Sequence, residues 1–164
     1  MELKYKRLYK TVLKEYQKLS KCSRLKVAAL LVDNGRIISC GYNGTPSGQP
    51  NCNELFKNEA GKFYCRKTPE DDWEIVTEEE WRTRHHEFSN EHELHAEQNC
   101  LGYCLKCKMD ISGASMALSH EPCESCARLI YAAGIKYVMY VNKYDRGSNG
   151  IQFLKNTGVK VEKI

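Results

Sequence analysis

No stretch of this sequence is apolar for long enough to cross a bilayer, and the mean hydropathy of −0.60 agrees, so a membrane-spanning helix is excluded. The lysines near the start are not followed by the apolar run of a secretory signal, and the expected compartment is the cytoplasm. There is little net charge: 25 basic against 21 acidic side chains leave +4, too small an excess to imply a nucleic-acid partner. Internal repeats and low-complexity segments are missing too. A disulfide framework is not expected, because the nine cysteines are odd in number and no secretion signal precedes them. What is present is a chain of 164 residues, 41% hydrophobic and 28% charged, enough for one ordinary domain with a real core.

The charge that exists is unevenly spread. Residues 1 to 26 carry nine Lys or Arg against Glu2 and Glu15, while 70 to 80 carry seven carboxylates and no base. Two solvated faces on different sides of one domain account for this.

Leu8, Val12, Leu13, Tyr16 and Leu19 recur at helical spacing within Leu3 to Leu19, and lysines fill the other face, so an amphipathic surface helix is expected with those five as core positions. Val27 to Val32 reads as an apolar strand, Asn34-Gly35 as a hairpin turn, and Ile37 to Cys40 as the returning strand. Gly41-Tyr-Asn-Gly-Thr-Pro-Ser-Gly48 is a loop whose glycines permit unusual backbone angles or close ligand approach. Gln49 to Asn90 is long, polar and irregular, an insert at about 50 to 90 on one domain spanning 1 to 164. Within it Thr68-Pro69-Glu70 suits one helix start, and Thr77 with Glu80 suits another leading through Trp81 and Phe88.

Beyond the insert, helices are expected from His95 to about Cys104, from Cys123 to Ala133 (stopped by Gly134) and from Ile151 to Asn156. They alternate with strands at Ala114 to Ser119, Tyr137 to Val141 and, as an edge candidate, Val159 to Ile164. This order predicts an α/β layer architecture with a mixed sheet and crossover helices.

Two readings compete for the cysteine pairs. Cys104-x-x-Cys107 and Cys123-x-x-Cys126 have the spacing of a four-cysteine zinc ribbon. Alternatively, His95-Ala-Glu97 with Pro122-Cys-Glu-Ser-Cys126 is the signature of zinc-dependent nucleobase deaminases. In the second reading Cys123 and Cys126 open one helix and His95 the preceding one. One imidazole and two thiolates then leave a fourth tetrahedral position open, as a catalytic zinc requires. Four cysteines would close the site and leave His95-x-Glu97 without a task, so the deaminase reading is preferred. Zinc then activates water for attack on C4 of a cytosine ring, and Glu97 carries the proton to ring N3 and the departing amine. Cys104 and Cys107 become surface or half-buried thiols, Cys40 and Cys100 core thiols, and His120 a pocket-wall residue.

Taken together, these residues resemble the deoxycytidylate (dCMP) deaminase family, in particular its bacteriophage members. The matching pieces are Ser20-Lys-Cys-Ser-Arg24 running into Val27, Gly41 to Gly48, His95-Ala-Glu-Gln-Asn99 and Pro122-Cys-x-x-Cys126-Ala. Gly134-Ile-Lys, Tyr140 and Tyr144-Asp145 complete the set. The resemblance covers the chain except much of 53 to 84. It implies a cytidine-deaminase-like three-layer α/β/α fold with a five-stranded mixed sheet, a homo-oligomer (usually a hexamer), and conversion of dCMP to dUMP for thymidylate synthesis. Arg24 matches a position near the substrate phosphate, Asn43 one that contacts the nucleoside, and Tyr144 an aromatic residue over the substrate.

The resemblance also implies a second, structural zinc, with Cys22, Cys52 and His85 on three ligand positions and Cys65, His86 and His92 all available as the fourth. Regulation by dCTP and dTTP, with Mg2+ accompanying the triphosphate, is implied at the loop containing Gly41, Tyr42 and Gly44. The chain departs from the family at Val27-Ala28-Ala29, where Val-Gly-Ala is common, and the Ala28 methyl is expected to crowd an approaching effector. The motifs fix ring chemistry better than phosphate count, so dCTP, alone or with dCMP, is the alternative substrate. A polynucleotide cytosine and a non-catalytic zinc module are more remote: the N-terminal lysines lie on the outer side of a helix, and a structural site would need no Glu97.

Overall fold

The computed structural model describes residues 3–144 and 149–164. Helix α1 (Leu3–Gln17) leads to the hairpin β1 (Ala28–Asp33) and β2 (Arg36–Tyr42). The turn is made by Asn34 at φ 47° and Gly35 at φ 81°, the left-handed angles for which an Asn-Gly pair is suited. Then come α2 (Cys52–Leu55), β3 (Phe56–Glu59), β4 (Lys62–Cys65), β5 (Glu74–Val76) and α3 (Glu78–His92). The last part alternates: α4 (Ala96–Lys106), β6 (Ser115–His120), α5 (Glu124–Ala132), β7 (Tyr137–Asn142), α6 (Asn149–Asn156) and β8 (Lys160–Lys163).

The main sheet has the order β2-β1-β6-β7-β8. β1 runs antiparallel to both β2 and β6, whereas β6, β7 and β8 are parallel, which is the expected five-stranded mixed sheet. Side chains alternate across it with the period of two that a strand imposes. Ala28, Leu30 and Val32 meet Tyr9 and Leu13 of α1 on one face, while Ala29 and Leu31 meet Cys100, Leu101, Ala127, Ile130 and Leu154 of α4, α5 and α6 on the other. Both faces of β1 are covered, which is why its sequence is a continuous apolar run.

Several expectations change. Leu8 and Leu19, read as core, are 47% and 53% exposed, whereas Tyr9 is fully buried and donates its hydroxyl to the Gly35 carbonyl at 3.1 Å. The stripe of α1 that meets the sheet is Tyr5, Tyr9, Val12, Leu13 and Tyr16, and Leu8 lies to one side of it. The insert is not irregular: β3, β4 and β5 form a three-stranded antiparallel sheet against which α3 packs. Its strands of three or four residues are too short to show a period in sequence. Thr68-Pro69-Glu70 starts no helix. The Asp71 carboxylate accepts the Thr68 N–H at 2.9 Å and Asp71 N–H donates to the Thr68 carbonyl at 3.2 Å, closing a turn. The Thr77–Glu80 capping box does start α3, with each side chain accepting the other's N–H at 3.2 Å. Gly134, at φ 79°, follows the end of α5 as expected. No described helix is long and apolar enough to cross a membrane.

Candidate active site

Two helices begin at one place. His95 caps the start of α4 and Cys123 the start of α5, both with extended backbone, φ −71°, ψ 157° and φ −67°, ψ 170°. His95 Nδ1 lies 3.4 Å from Cys123 Sγ and 3.3 Å from Cys126 Sγ. An imidazole nitrogen and two sulfurs, all within 4.8 Å of one another, are a donor set suited to zinc. The Cys126 thiol, aided by His95 and Ser125, holds Cys123 down at about 3 against the effect of burial, and Cys126, as the donor of the pair, is pushed up. His95 is raised, chiefly by its bond to Cys123. Cys104 and Cys107 take no part. Cys107 is exposed at the end of α4, and Cys104, expected near the surface, is wholly buried because its side of α4 faces the sheet.

Glu97 is the second residue of α4 and is 4% exposed. Burial raises its carboxyl above the usual range, against the pull of its own N–H, of His95 and of the Cys126 thiol with which it bonds. It stands beside the three donors without belonging to the set.

Two glycines allow this convergence. A Cβ on Gly41 would stand 2.3 Å from the Ala96 carbonyl oxygen and 2.6 Å from Cys100 N, so β2 reaches α4 only because position 41 has no side chain. A Cβ on Gly150 would lie 2.3 Å from the Pro122 carbonyl oxygen, so α6 is seated directly on the loop that presents Cys123. Gly150 escaped the sequence reading. Its only signal is a glycine in the first turn of a helix.

The cluster opens into a cleft of about 590 Å³, its mouth included, walled by Arg24, Val27, Asn43, His120, Glu121 and Tyr144 among others. The Arg24 guanidinium is half-buried there and makes no hydrogen bond or ion pair among the described residues. Asn43 is fastened: Oδ1 accepts from Ser20 Oγ and from Val27 N–H, both at 2.8 Å, and Nδ2 donates to the Leu25 carbonyl at 3.0 Å. Tyr144 N–H donates to Glu121 Oε2 at 3.1 Å, and Glu121 also bonds the Tyr140 hydroxyl, so Glu121 holds the aromatic segment at the rim. Asp145 lies outside the described residues.

A second cluster adjoins the first. Cys22 comes from the segment after α1, Cys52 from the first residue of α2 and His85 from the stripe Trp81–His85–Phe88 of α3. His85 Nε2 is 3.5 Å from Cys22 Sγ and 3.2 Å from Cys52 Sγ, and all three residues are buried. The His85 ring stacks on Trp81, centroids 5.0 Å apart, and meets Phe56 edge-on. The bond from Cys52, with help from His85, holds Cys22 at about 3, and Cys52 is pushed up correspondingly.

None of the expected fourth partners reaches this cluster. Cys65 instead accepts from Arg84 at 3.1 Å, His86 is exposed, and His92 packs on Phe88 at the surface. Position 86 faces away from the 81–85–88 stripe of α3, whereas position 92 continues that stripe but lies two turns beyond His85, about 10 Å further along the helix. The residue missed is Glu93. It is 8% exposed, feels the charges of Cys22, His85 and His95, and its Oε1 is buried without a partner among the described residues, while Oε2 accepts from Ser89 at 2.7 Å.

At the glycine loop, Gly44 exchanges backbone hydrogen bonds of 3.1 and 2.9 Å with Leu94, and the Tyr42 carbonyl accepts from Asn99 at 2.8 Å. The Ala28 methyl crowds nothing in the cleft. It sits in the α1 layer with Tyr9 and Leu13, on the opposite face of β1.

Residues 3–142 match a family described as the cytidine and deoxycytidylate deaminase zinc-binding region, and the chain belongs to that family. It is similar to the deoxycytidylate deaminase of Enterobacteria phage T2, 35% identical over 156 residues that cover 87% of this chain and 82% of the relative. The corresponding protein of Enterobacteria phage T4 is 36% identical over 156 residues, 87% of this chain and 80% of the relative. Among solved structures, the dCMP deaminase of cyanophage S-TIM5 in complex with dCMP and dUMP superposes with a TM-score of 0.74 at 34% identity, covering 100% of this chain and 99% of that one.

Proposed function

We propose that this chain is a zinc-dependent deaminase that hydrolyses dCMP to dUMP and ammonia. The observation that carries this reading is the convergence of His95, Cys123 and Cys126 beside a buried carboxyl, Glu97, at the foot of a cleft where Arg24 has no protein anion to pair with among the described residues. His95, Cys123 and Cys126 would hold the zinc, leaving a coordination position toward the cleft. Zinc bound there lowers the pKa of a coordinated water to about 7 and so supplies a nucleophile at neutral pH.

The remaining steps belong to the protein. Glu97, acting as the carboxylate and made a stronger base by its burial, takes the proton of the attacking water and delivers it to ring N3 as oxygen adds at C4. It then relays the proton of the hydroxyl newly added at C4 to the amine, the C4–N bond breaks as the C4 carbonyl forms, and ammonia leaves a uracil ring. Arg24 offers a planar fork to the 5′-phosphate. Asn43 faces the nucleoside and fixes the Ser20–Val27 segment, while Tyr144, held by Glu121, covers the substrate.

Cys22, Cys52 and His85 fit a second zinc by their donor chemistry, with Glu93 as the fourth ligand in place of the three expected candidates. We read the whole chain as one deaminase domain acting in the cytoplasm. Assembly into a homo-oligomer, a hexamer in this reading, is supported by Tyr42, Leu94, Tyr103 and Leu105, which are exposed and apolar beside β2 and α4. A dCTP or dTTP effector with Mg2+ at Gly41 to Gly44 draws less support from the geometry. Gly41 is taken up by packing and the Gly44 amide by Leu94.

The test is a deamination panel followed by ultraviolet absorbance on zinc-loaded protein: cytidine, CMP, dCMP, dCDP, dCTP and a cytosine-containing oligonucleotide. Preferential turnover of dCMP is expected. Comparable turnover of dCTP would widen the substrate class, and turnover of the oligonucleotide alone would overturn the reading.

A further inference from the structure

We infer that the Cys22–Cys52–His85 site, when it holds metal, sets the position of Arg24 and thereby selects 5′-phosphorylated deoxynucleotides over nucleosides. The inference rests on the monophosphate reading given above. Arg24 rides on a segment with no regular structure between α1 and β1. Its C-terminal end is tied to the sheet, through Asn43 to Val27. On the other side Ser20 Oγ is bonded to the same Asn43, and the two residues immediately before Arg24 are tied to the insert. Cys22 Sγ meets His85 Nε2, Ser23 N–H donates to Cys52 Sγ at 3.3 Å, and Ser23 Oγ donates to the Phe56 carbonyl at 2.5 Å.

The two clusters also share one cleft. Cys22, His85 and Glu93 line the same space as His95, Glu97 and Arg24. A guanidinium on a flexible stem makes a bidentate phosphate contact only if its backbone is held still. A metal joining Cys22 to Cys52 and His85 locks the two residues that precede Arg24 onto α2 and α3. The insert is in this way part of substrate selection. Its donor set is the same chemistry as at the first cluster, an imidazole and two thiols within 4.8 Å, with the unpartnered Glu93 oxygen nearby.

The experiment compares wild-type chain, Cys52→Ser, Arg24→Ala and the double variant by zinc content and by calorimetric titration with dUMP and with deoxyuridine. Cys52→Ser is expected to lose one zinc per chain, keep the other, and bind dUMP at least tenfold more weakly with deoxyuridine unchanged. Arg24→Ala should keep both metals and show the same dUMP loss, and the double variant should be no worse than either single. Unchanged dUMP affinity after loss of the second zinc overturns the inference, as does equal weakening for both ligands.

Should Cys52→Ser fail to fold, thermodynamic reciprocity supplies the test in the wild-type chain. Saturating dUMP, but not deoxyuridine, must tighten binding of the second zinc in equilibrium competition with a colorimetric chelator, and equal zinc affinity with both ligands overturns the inference. A wild-type chain that binds dUMP no better than deoxyuridine defeats instead the monophosphate reading, a result visible before any variant is made.

Discussion

Gly41 and Ala96 are in backbone contact across the β2–α4 interface: a Cβ on the glycine would lie 2.3 Å from the Ala96 carbonyl oxygen, one residue from His95 and one from Glu97. Backbone cannot yield as a flexible side chain can. Gly41→Ala should therefore cost about 1–3 kcal/mol or more in stability and lower zinc content by displacing the start of α4. Thermal denaturation with metal analysis checks both. Gly150→Ala should act in the same sense from the Cys123 side, and a variant of either kind with full zinc and an unchanged melting temperature would contradict the packing argument.

Glu97→Gln keeps the shape of the side chain and removes its proton chemistry. We expect kcat for dCMP to fall by about 10²–10⁴ with zinc content and dUMP affinity retained. Cys126→Ser is the contrasting variant: it should lose the metal of the first cluster along with activity. Steady-state kinetics beside metal analysis separates the two outcomes.

Removing the Asn43 side chain leaves the Ser20 hydroxyl and the Val27 N–H without their acceptor in a buried place. The expected cost of Asn43→Ala is about 1–3 kcal/mol, read by denaturant unfolding. The loosened segment also carries Arg24, so KM for dCMP should rise more than kcat falls.

Glu162 on β8 joins Lys6 of α1 and the Tyr137 hydroxyl of β7, and those two bonds hold its carboxyl below the usual range. A depressed carboxylate stabilises the fold above its unfolded pKa and loses that contribution as pH falls through the folded one. The pair with Lys6 is partly exposed, so the effect is at most about 1 kcal/mol. Tyr137 is pushed up to about 12, first by burial and then by Glu162. Its contribution is whole below about 10 and is lost as pH rises toward 12. Glu162→Gln should flatten the acid limb of the stability curve, measured as melting temperature between pH 3 and 7, and a limb of unchanged slope would count against the assignment.

Much of this was legible in the residues themselves. Continuous apolar runs marked strands buried on both faces, Asn34-Gly35 marked the hairpin, and the Thr77–Glu80 box marked α3. The His95-x-Glu97 and Pro122-Cys-x-x-Cys126 spacings marked the first cluster because two helix caps must bring three donors to one point. What escaped depends on contacts made across the chain. Glu93 is an ordinary carboxylate until folding buries one oxygen without a partner, and Gly150 is one glycine among eleven until Pro122 lies against it. Leu8 looked like core because it stands four residues before Val12, but the stripe that meets the sheet runs through Tyr5, Tyr9, Val12, Leu13 and Tyr16 and leaves position 8 at its edge.

β1 pairs with β6 in a register that sets Val32 opposite Ser115, half the chain apart, so the whole insert is one loop as far as closure of the main sheet is concerned. Each doubling of such a loop adds only about 0.6 kcal/mol of entropic cost. The frame that brings His95 to Cys123 is thus nearly indifferent to how long the insert is. A chain in which residues 57–76 are exchanged for a short Gly/Ser linker should still protect the Leu30 and Leu118 amides from hydrogen exchange. Insertions and deletions there leave the pairing of the five strands as before, so the length of this segment can drift while the frame that carries the three donors stays the same.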